Sequence, residues 1–157
     1  MQGHGRRARQ LRGPPAPDAP PEGNPILVRR YECQHCWAIL TVVPAETAPR
    51  RHYGATAIAL ALALFGSLGQ TQAQVRAAVS SDTVVGVRAE RRWHTLARWV
   101  DAVGERRLFA ALPAMPVEQG RRAIAERAAM AIGAHAPPSV PEGALARRAF
   151  VGATQMP

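Results

Sequence analysis

A mainly α fold is expected, with a helix-turn-helix-type helical core preceded by a small β-hairpin and a flexible N-terminal arm. Three observations predict it. Residues 55–68 form a long apolar run rich in Ala and Leu, residues 87–103 carry a one-sided apolar stripe, and two β-branched runs flank the pair Cys33 and Cys36.

Residues 1–25 are dense in Gly, Pro and Arg and include RGPPAPDAPPEGNP. Such a stretch buries too little apolar surface to order itself, so it reads as a flexible arm. Residues 26–44 follow as strand, turn and strand, ILVRRYEC then QHCW then AILTVV, closed by Pro44. β-branched and aromatic residues on both sides of a short polar turn are the hairpin pattern.

From residue 54 to 134 the chain reads as helical. IALALAL alternates with period 2, yet every intervening residue is Ala, the strongest helix former, so length and composition favour a helix. Ile58, Leu62 and Phe65 fall on one side and Leu60, Leu64 and Leu68 on the other. A helix apolar nearly all round lies at the centre of its core. Gly66 and Gly69 permit a turn, and Thr71 caps a short helix whose inward residues are Val75, Ala78 and Val79. A longer helix over 87–103 buries Trp93, Leu96, Val100 and Val103 on one stripe. Another begins after Pro116, with Glu118 and Arg122 at i, i+4, and ends at Gly133 before Pro137 and Pro138. Residues 135–157 hold Leu145 and Phe150 as their large anchors and are expected to pack loosely.

The chain of 157 residues suits one main core. Its formal charge of +9 comes from 20 basic residues, all arginine, against 11 carboxylates. Clustered guanidinium groups suggest a polyanionic partner, although a GC-rich coding sequence also enriches Arg, Ala, Gly and Pro. The basic N-terminus has no apolar segment behind it, which gives no support to a secretory signal. The run at 55–68 is shorter than the roughly 20 residues of a spanning helix. With cysteine this scarce, a cytoplasmic location without membrane association is expected.

The helical layout places the third helix, 87–103, as the reading helix. At ~100° per residue, Arg98 falls about 140°, Arg91 about 160°, Thr95 about 200° and Arg88 about 220° from Trp93. Arginine forks onto guanine edges and grips phosphate, so this face suits a DNA groove; the bland counterpart is a solvated charged face. Arg50, Arg51 and Arg92 are placed to meet backbone phosphate. Trp93 and Trp99 read as core residues and His94 as a surface residue.

The thiols admit three readings: half of a zinc ribbon, a thioredoxin-like redox pair, or two structural cysteines. Strand-like flanks disfavour the redox pair, whose first Cys belongs at a helix N-terminus. A zinc knuckle is a C-x-x-C step between strands, but a structural site takes four ligands, and His4, His35 and His52 show no second paired spacing. Trp37 also occupies the position after the second Cys, where positive φ favours Gly. The cofactor expectation is therefore zinc at an incomplete site. No Gly-rich phosphate loop, H-E-x-x-H or G-x-S-x-G is present, and the acids form no evident pair, so an enzyme is not expected.

The segments GHGRRARQLRGPPAPDAPPE, RRYECQHC, LTVVPAETAPRRHYGATAIALALALFG and RRWHTLARWVDAV together resemble a bacterial transposase-like family of poorly defined function. Its members join a zinc ribbon to a helix-turn-helix region, and the resemblance covers about residues 3–152. The resemblance implies that Cys33 and Cys36 form the second C-x-x-C of a ribbon whose first pair is absent here. It also implies DNA binding linked to mobile elements. Two other functions compete: a helical interaction module that forms a homodimer, and a truncated remnant without selected activity.

Overall fold

The computed structural model describes residues 1–44, 47–48, 51–82, 93–116 and 120–156. The chain is an α/β protein, not a mainly α one: a three-stranded antiparallel sheet stands beside five helices among the described residues. In chain order these are β1 (Gln2–Gly13), β2 (Glu22–Glu32), β3 (Ile39–Val42), α1 (Ala55–Gly66), α2 (Gln72–Val79), α3 (His94–Gly104), α4 (Arg121–Gly133) and α5 (Leu145–Gly152).

The largest correction concerns the expected flexible arm. Residues 2–13 form β1, paired with β2 from Gln2 opposite Glu32 to Gly13 opposite Glu22, with a register shift between Gly3 and Arg6. β1 has arginines on both of its faces and lacks the apolar alternation that marks a half-buried strand. Pairing satisfies its backbone N–H and C=O groups, and that requirement is indifferent to side-chain pattern. The proline-rich segment 14–21 turns the chain back onto β2. Pro25, which cannot donate to a ladder, sits where β2 has a neighbour on one side alone, because β3 pairs only with Arg29 to Glu32.

α1 is the centre of the core, as its composition predicts. Ile58, Ala59, Ala61, Leu62 and Ala63 are fully buried, and burying a side chain such as Leu62 is worth roughly 1.5–3 kcal/mol. Its alanines let α4 and α5 approach closely. Gly66 lies against the backbone of Ala125 and Glu126 on α4, and Gly152 of α5 lies against the carbonyl of Ile132. α2 begins with a capping box in which Gln74 N donates to Thr71 Oγ1 at 3.3 Å and Thr71 N donates to Gln74 Oε1 at 2.8 Å. This satisfies two of the donors that a helix start leaves free.

The helix-turn-helix expected within 54–134 runs through residues 83–92, which lie outside the described residues. Among the described residues α2 packs on α1, while α3 packs chiefly on α4 and less on α1, so the helices gather around α1. Arg121 on α4 clamps Asp101 on α3 through Nε to Oδ1 at 2.8 Å and Nη2 to Oδ2 at 3.0 Å. The C-terminal segment is not a loose tail: α5 buries Ala149 and Phe150 against α1 and α4. Leu96, Val100 and Val103 are buried on α3 as the stripe predicts.

Candidate nucleic-acid interface

The sheet presents one face to the segment 51–54. Arg7 pairs with Val28 and Arg9 with Ile26, so these side chains share a face, and Val28 is its buried member. Three hydrogen bonds dock β1 onto that segment. Arg9 Nη2 donates to the Arg51 carbonyl at 2.5 Å, Arg12 N to the His52 carbonyl at 2.7 Å, and Gly54 N to the Arg12 carbonyl at 3.0 Å.

Between sheet and segment lies a cavity of about 670 Å³, lined by Arg7, Arg9, Val28, Thr41, Arg51 and His52 among others. No carboxylate lines it among the described residues. A second cavity of about 300 Å³ is also lined by Arg51 and His52, together with Arg12, Asp82, Thr95 and Arg98. Its aromatic wall is a cluster of edge-to-face rings, with Tyr53 and Trp99 centroids 4.9 Å apart and Trp93 and Trp99 centroids 5.2 Å apart. Tyr53 Oη lies 2.8 Å from Ser80 Oγ, so its buried polar end is paired. The guanidinium of Arg12 lies 6.0 Å from the Tyr53 ring centroid.

Of the residues expected to bind DNA, Arg51, Thr95 and Arg98 come together on this second cavity. Arg50, Arg88, Arg91 and Arg92 lie outside the described residues. Thr95 was expected nearly opposite Trp93 on a continuous helix. Trp93 instead stands at the N-cap of α3 with φ −89° and ψ 82°, so the helical wheel does not extend to it, and its ring borders the same cavity as Thr95 and Arg98. Trp93 and Trp99 are buried and His94 is exposed, as expected. Sequence reasoning missed Arg7, Arg9, Arg12 and His52. The i, i+2 spacing of Arg7 and Arg9 was the available signal, since it places both on one face of a strand. Arg51 Nε is buried with no hydrogen-bond partner among the described residues.

The cysteines occupy the turn between β2 and β3. Cys33 N donates to the Ala38 carbonyl at 2.9 Å and Trp37 N donates to the Cys33 carbonyl at 2.8 Å. Trp37 takes φ 60°, the left-handed conformation that the position after the second cysteine requires. Both thiols are free. The backbone N–H of Cys36, then that of His35, then the Cys36 thiol hold the Cys33 thiol below its ordinary pKa. This donor chemistry suits a thiolate bound to zinc, but no third His, Cys, Asp or Glu joins the two cysteines among the described residues. His4 pairs with Glu32, its Nδ1 3.5 Å from Oε2, and His52 lines the cationic cavities. The described residues of one chain therefore supply two of the four ligands that a structural zinc takes.

Comparison with family models, with curated proteins and with solved structures finds no match to this chain. Among the described residues, no helix is long and apolar enough to cross a membrane.

Proposed function

We propose that this chain binds DNA through a cationic cleft at the junction of sheet and helices, gripping the phosphate backbone. The observation that carries the reading is the pair of cavities that share Arg51 and His52 as lining residues. Together they align Arg7, Arg9, Arg51, Arg12 and Arg98 with Asp82 as the one carboxylate among their described lining residues. Clustered guanidinium groups in a concave wall focus positive potential and displace counterions from a polyanion. Thr95 adds a hydroxyl of the kind that contacts phosphate. The role is a binding one, without catalysis, and the resemblance to transposase-like proteins supports DNA as the polyanion.

Fluorescence anisotropy with a labelled duplex, titrated with the full chain between about 50 and 300 mM salt, tests the reading. At ~0.9 per neutralised phosphate, a slope of log affinity on log salt between about −3 and −5 is expected. Arg7→Ala and Arg98→Ala each remove one exposed guanidinium, and each is expected to weaken binding about 3- to 10-fold and flatten the slope by about 1. Binding that ignores salt, or that both variants leave unchanged, would overturn the proposal.

A further inference from the structure

We infer that the exposed face of the β1–β2 ribbon is the base-reading element of this chain, with Arg6 and Arg29 forked onto guanine edges in the major groove of a DNA duplex. The inference rests on the DNA-binding reading and adds sequence recognition to it.

Register and charge carry the inference. Arg6 stands directly opposite Arg29, Ala8 opposite Leu27, and Val42 of β3 opposite Arg29 on its other side. These five residues therefore share one face, opposite to that of buried Val28, and all five are exposed. Glu22 and Glu32, the carboxylates of the three strands, fall on the other face. Neither Arg6 nor Arg29 has a hydrogen bond or ion pair among the described residues. Like charges directly opposite each other destabilise a strand pair, so a ligand rich in acceptors offsets a cost that the free sheet carries. The register shift between Gly3 and Arg6, where Gly5 takes φ 86°, is a bulge of the kind that re-aims a side chain. Beside it lies an open recess of about 270 Å³ lined by Arg6, Arg29 and Tyr31 among others.

The mixture of side chains favours base edges over bare phosphate. Guanine presents two acceptors, O6 and N7, that one guanidinium fork takes together, and thymine presents a methyl group that aliphatic side chains meet. Arg6 and Arg29 supply the forks, while Leu27 and Val42, 68% and 57% exposed, supply the apolar contacts. Two strands about 5 Å apart fit a groove roughly 12 Å wide. Strand alternation puts Arg12 on the same face, where its Nη2 donates to Gln10 Oε1 at 2.9 Å, and Arg12 also lines the second cavity with Thr95 and Arg98. At ~3.3 Å per residue Arg6 and Arg12 stand about 20 Å apart along β1. One duplex spans that distance in about six base pairs, so the same molecule meets the reading face and the second cavity.

The test selects duplexes from a random-sequence library with the full chain, then compares the enriched duplex with a scrambled one by anisotropy. An enriched motif that contains guanine, bound about 10-fold or more tighter than its scrambled counterpart, is expected. Arg6→Ala and Arg29→Ala, checked for unchanged far-ultraviolet circular dichroism, should each cut that ratio about 5-fold or more and relax the motif at one position. Arg29→Lys keeps the charge without the fork, so it should lose selectivity as the alanine variant does while the salt slope stays. If a variant misfolds, 7-deazaguanine in the motif removes the N7 acceptor from the DNA side, and the unmodified chain should bind that duplex several-fold more weakly. Duplex binding with no enriched motif, or a motif that both alanine variants leave intact, would overturn the inference and leave the cleft reading standing. Absence of duplex binding even at low salt would overturn both.

Discussion

Arg12 Nη1 donates to Asp82 Oδ2 at 2.5 Å, joining β1 to the segment that follows α2 across the floor of the second cavity. The pair is partly exposed, so it contributes about 0–1 kcal/mol to stability. On the proposed DNA-binding role its larger effect is on the cleft, where Asp82 would offset the charge of one guanidinium. Asp82→Asn is expected to leave the thermal midpoint nearly unchanged and to tighten duplex binding about 2- to 5-fold at low salt, with a salt slope steeper by about 1. Anisotropy titrations of the variant beside the unmodified chain measure both effects, and weaker binding would count against a role for Arg12.

Trp37 holds a left-handed backbone conformation while most of its ring is exposed. That conformation costs a residue with a Cβ roughly 1–2 kcal/mol, and glycine adopts it freely. Trp37→Gly is therefore expected to raise stability by about 0.5–1 kcal/mol, the gain being trimmed by the greater chain entropy of glycine in the unfolded state. Urea denaturation checks it. A loss of stability would show that the Trp37 ring contributes packing that outweighs the strain.

The Cys33 thiol is held below its ordinary pKa by N–H groups of Cys36 and His35 and by the Cys36 thiol. Folding thus favours the thiolate, so this interaction supports the turn at pH above the ordinary thiol range and is lost as pH falls through the lowered value. Alkylation of Cys33 by iodoacetamide, followed by peptide mass spectrometry across pH, should reach its plateau at lower pH in the folded chain than in the urea-unfolded chain. Coincident profiles would contradict it.

Close helix approach gives a prediction that separates two kinds of glycine. A Cβ at Gly66 would strike Glu126 and Ala125, and one at Gly152 would strike Ile132, whereas none meets Gly143 within 4 Å. Gly66→Ala and Gly152→Ala should each destabilise by about 1–3 kcal/mol through overpacking. Gly143→Ala should fall within about 0.5 kcal/mol of the unmodified chain. Thermal melts of the three variants decide it, and three equal midpoints would mean that the helices tolerate wider spacing.

Some of the fold was legible because its cause is local. Alternating Ala and Leu over 58–64 specify a helix with no polar face, and such a helix has nowhere to go but the centre. Thr71 and Gln74 announce the start of α2 through a capping box that needs only four residues. The cysteine turn, with its positive φ at Trp37, was likewise visible as a position that wants glycine. The C-terminal helix was hidden for the opposite reason. Its two large anchors look insufficient until α1 and α4 are in place, and Gly152 then allows a contact closer than any pattern encodes.

Read alone, the 157 residues determined the buried central helix, the α2 cap, the hairpin around Cys33 and Cys36, and an excess of arginine with too few carboxylates to neutralise it. Each follows from chemistry within one turn of helix, one hairpin or the composition. Tertiary structure alone decided that residues 2–13 are a strand, because backbone pairing with β2 supplies hydrogen bonds that side-chain pattern does not report. It alone brought Arg7 and Arg9 beside Arg51, and Arg12 beside Arg98, since residues far apart in the chain share a cavity only after sheet and helices have docked.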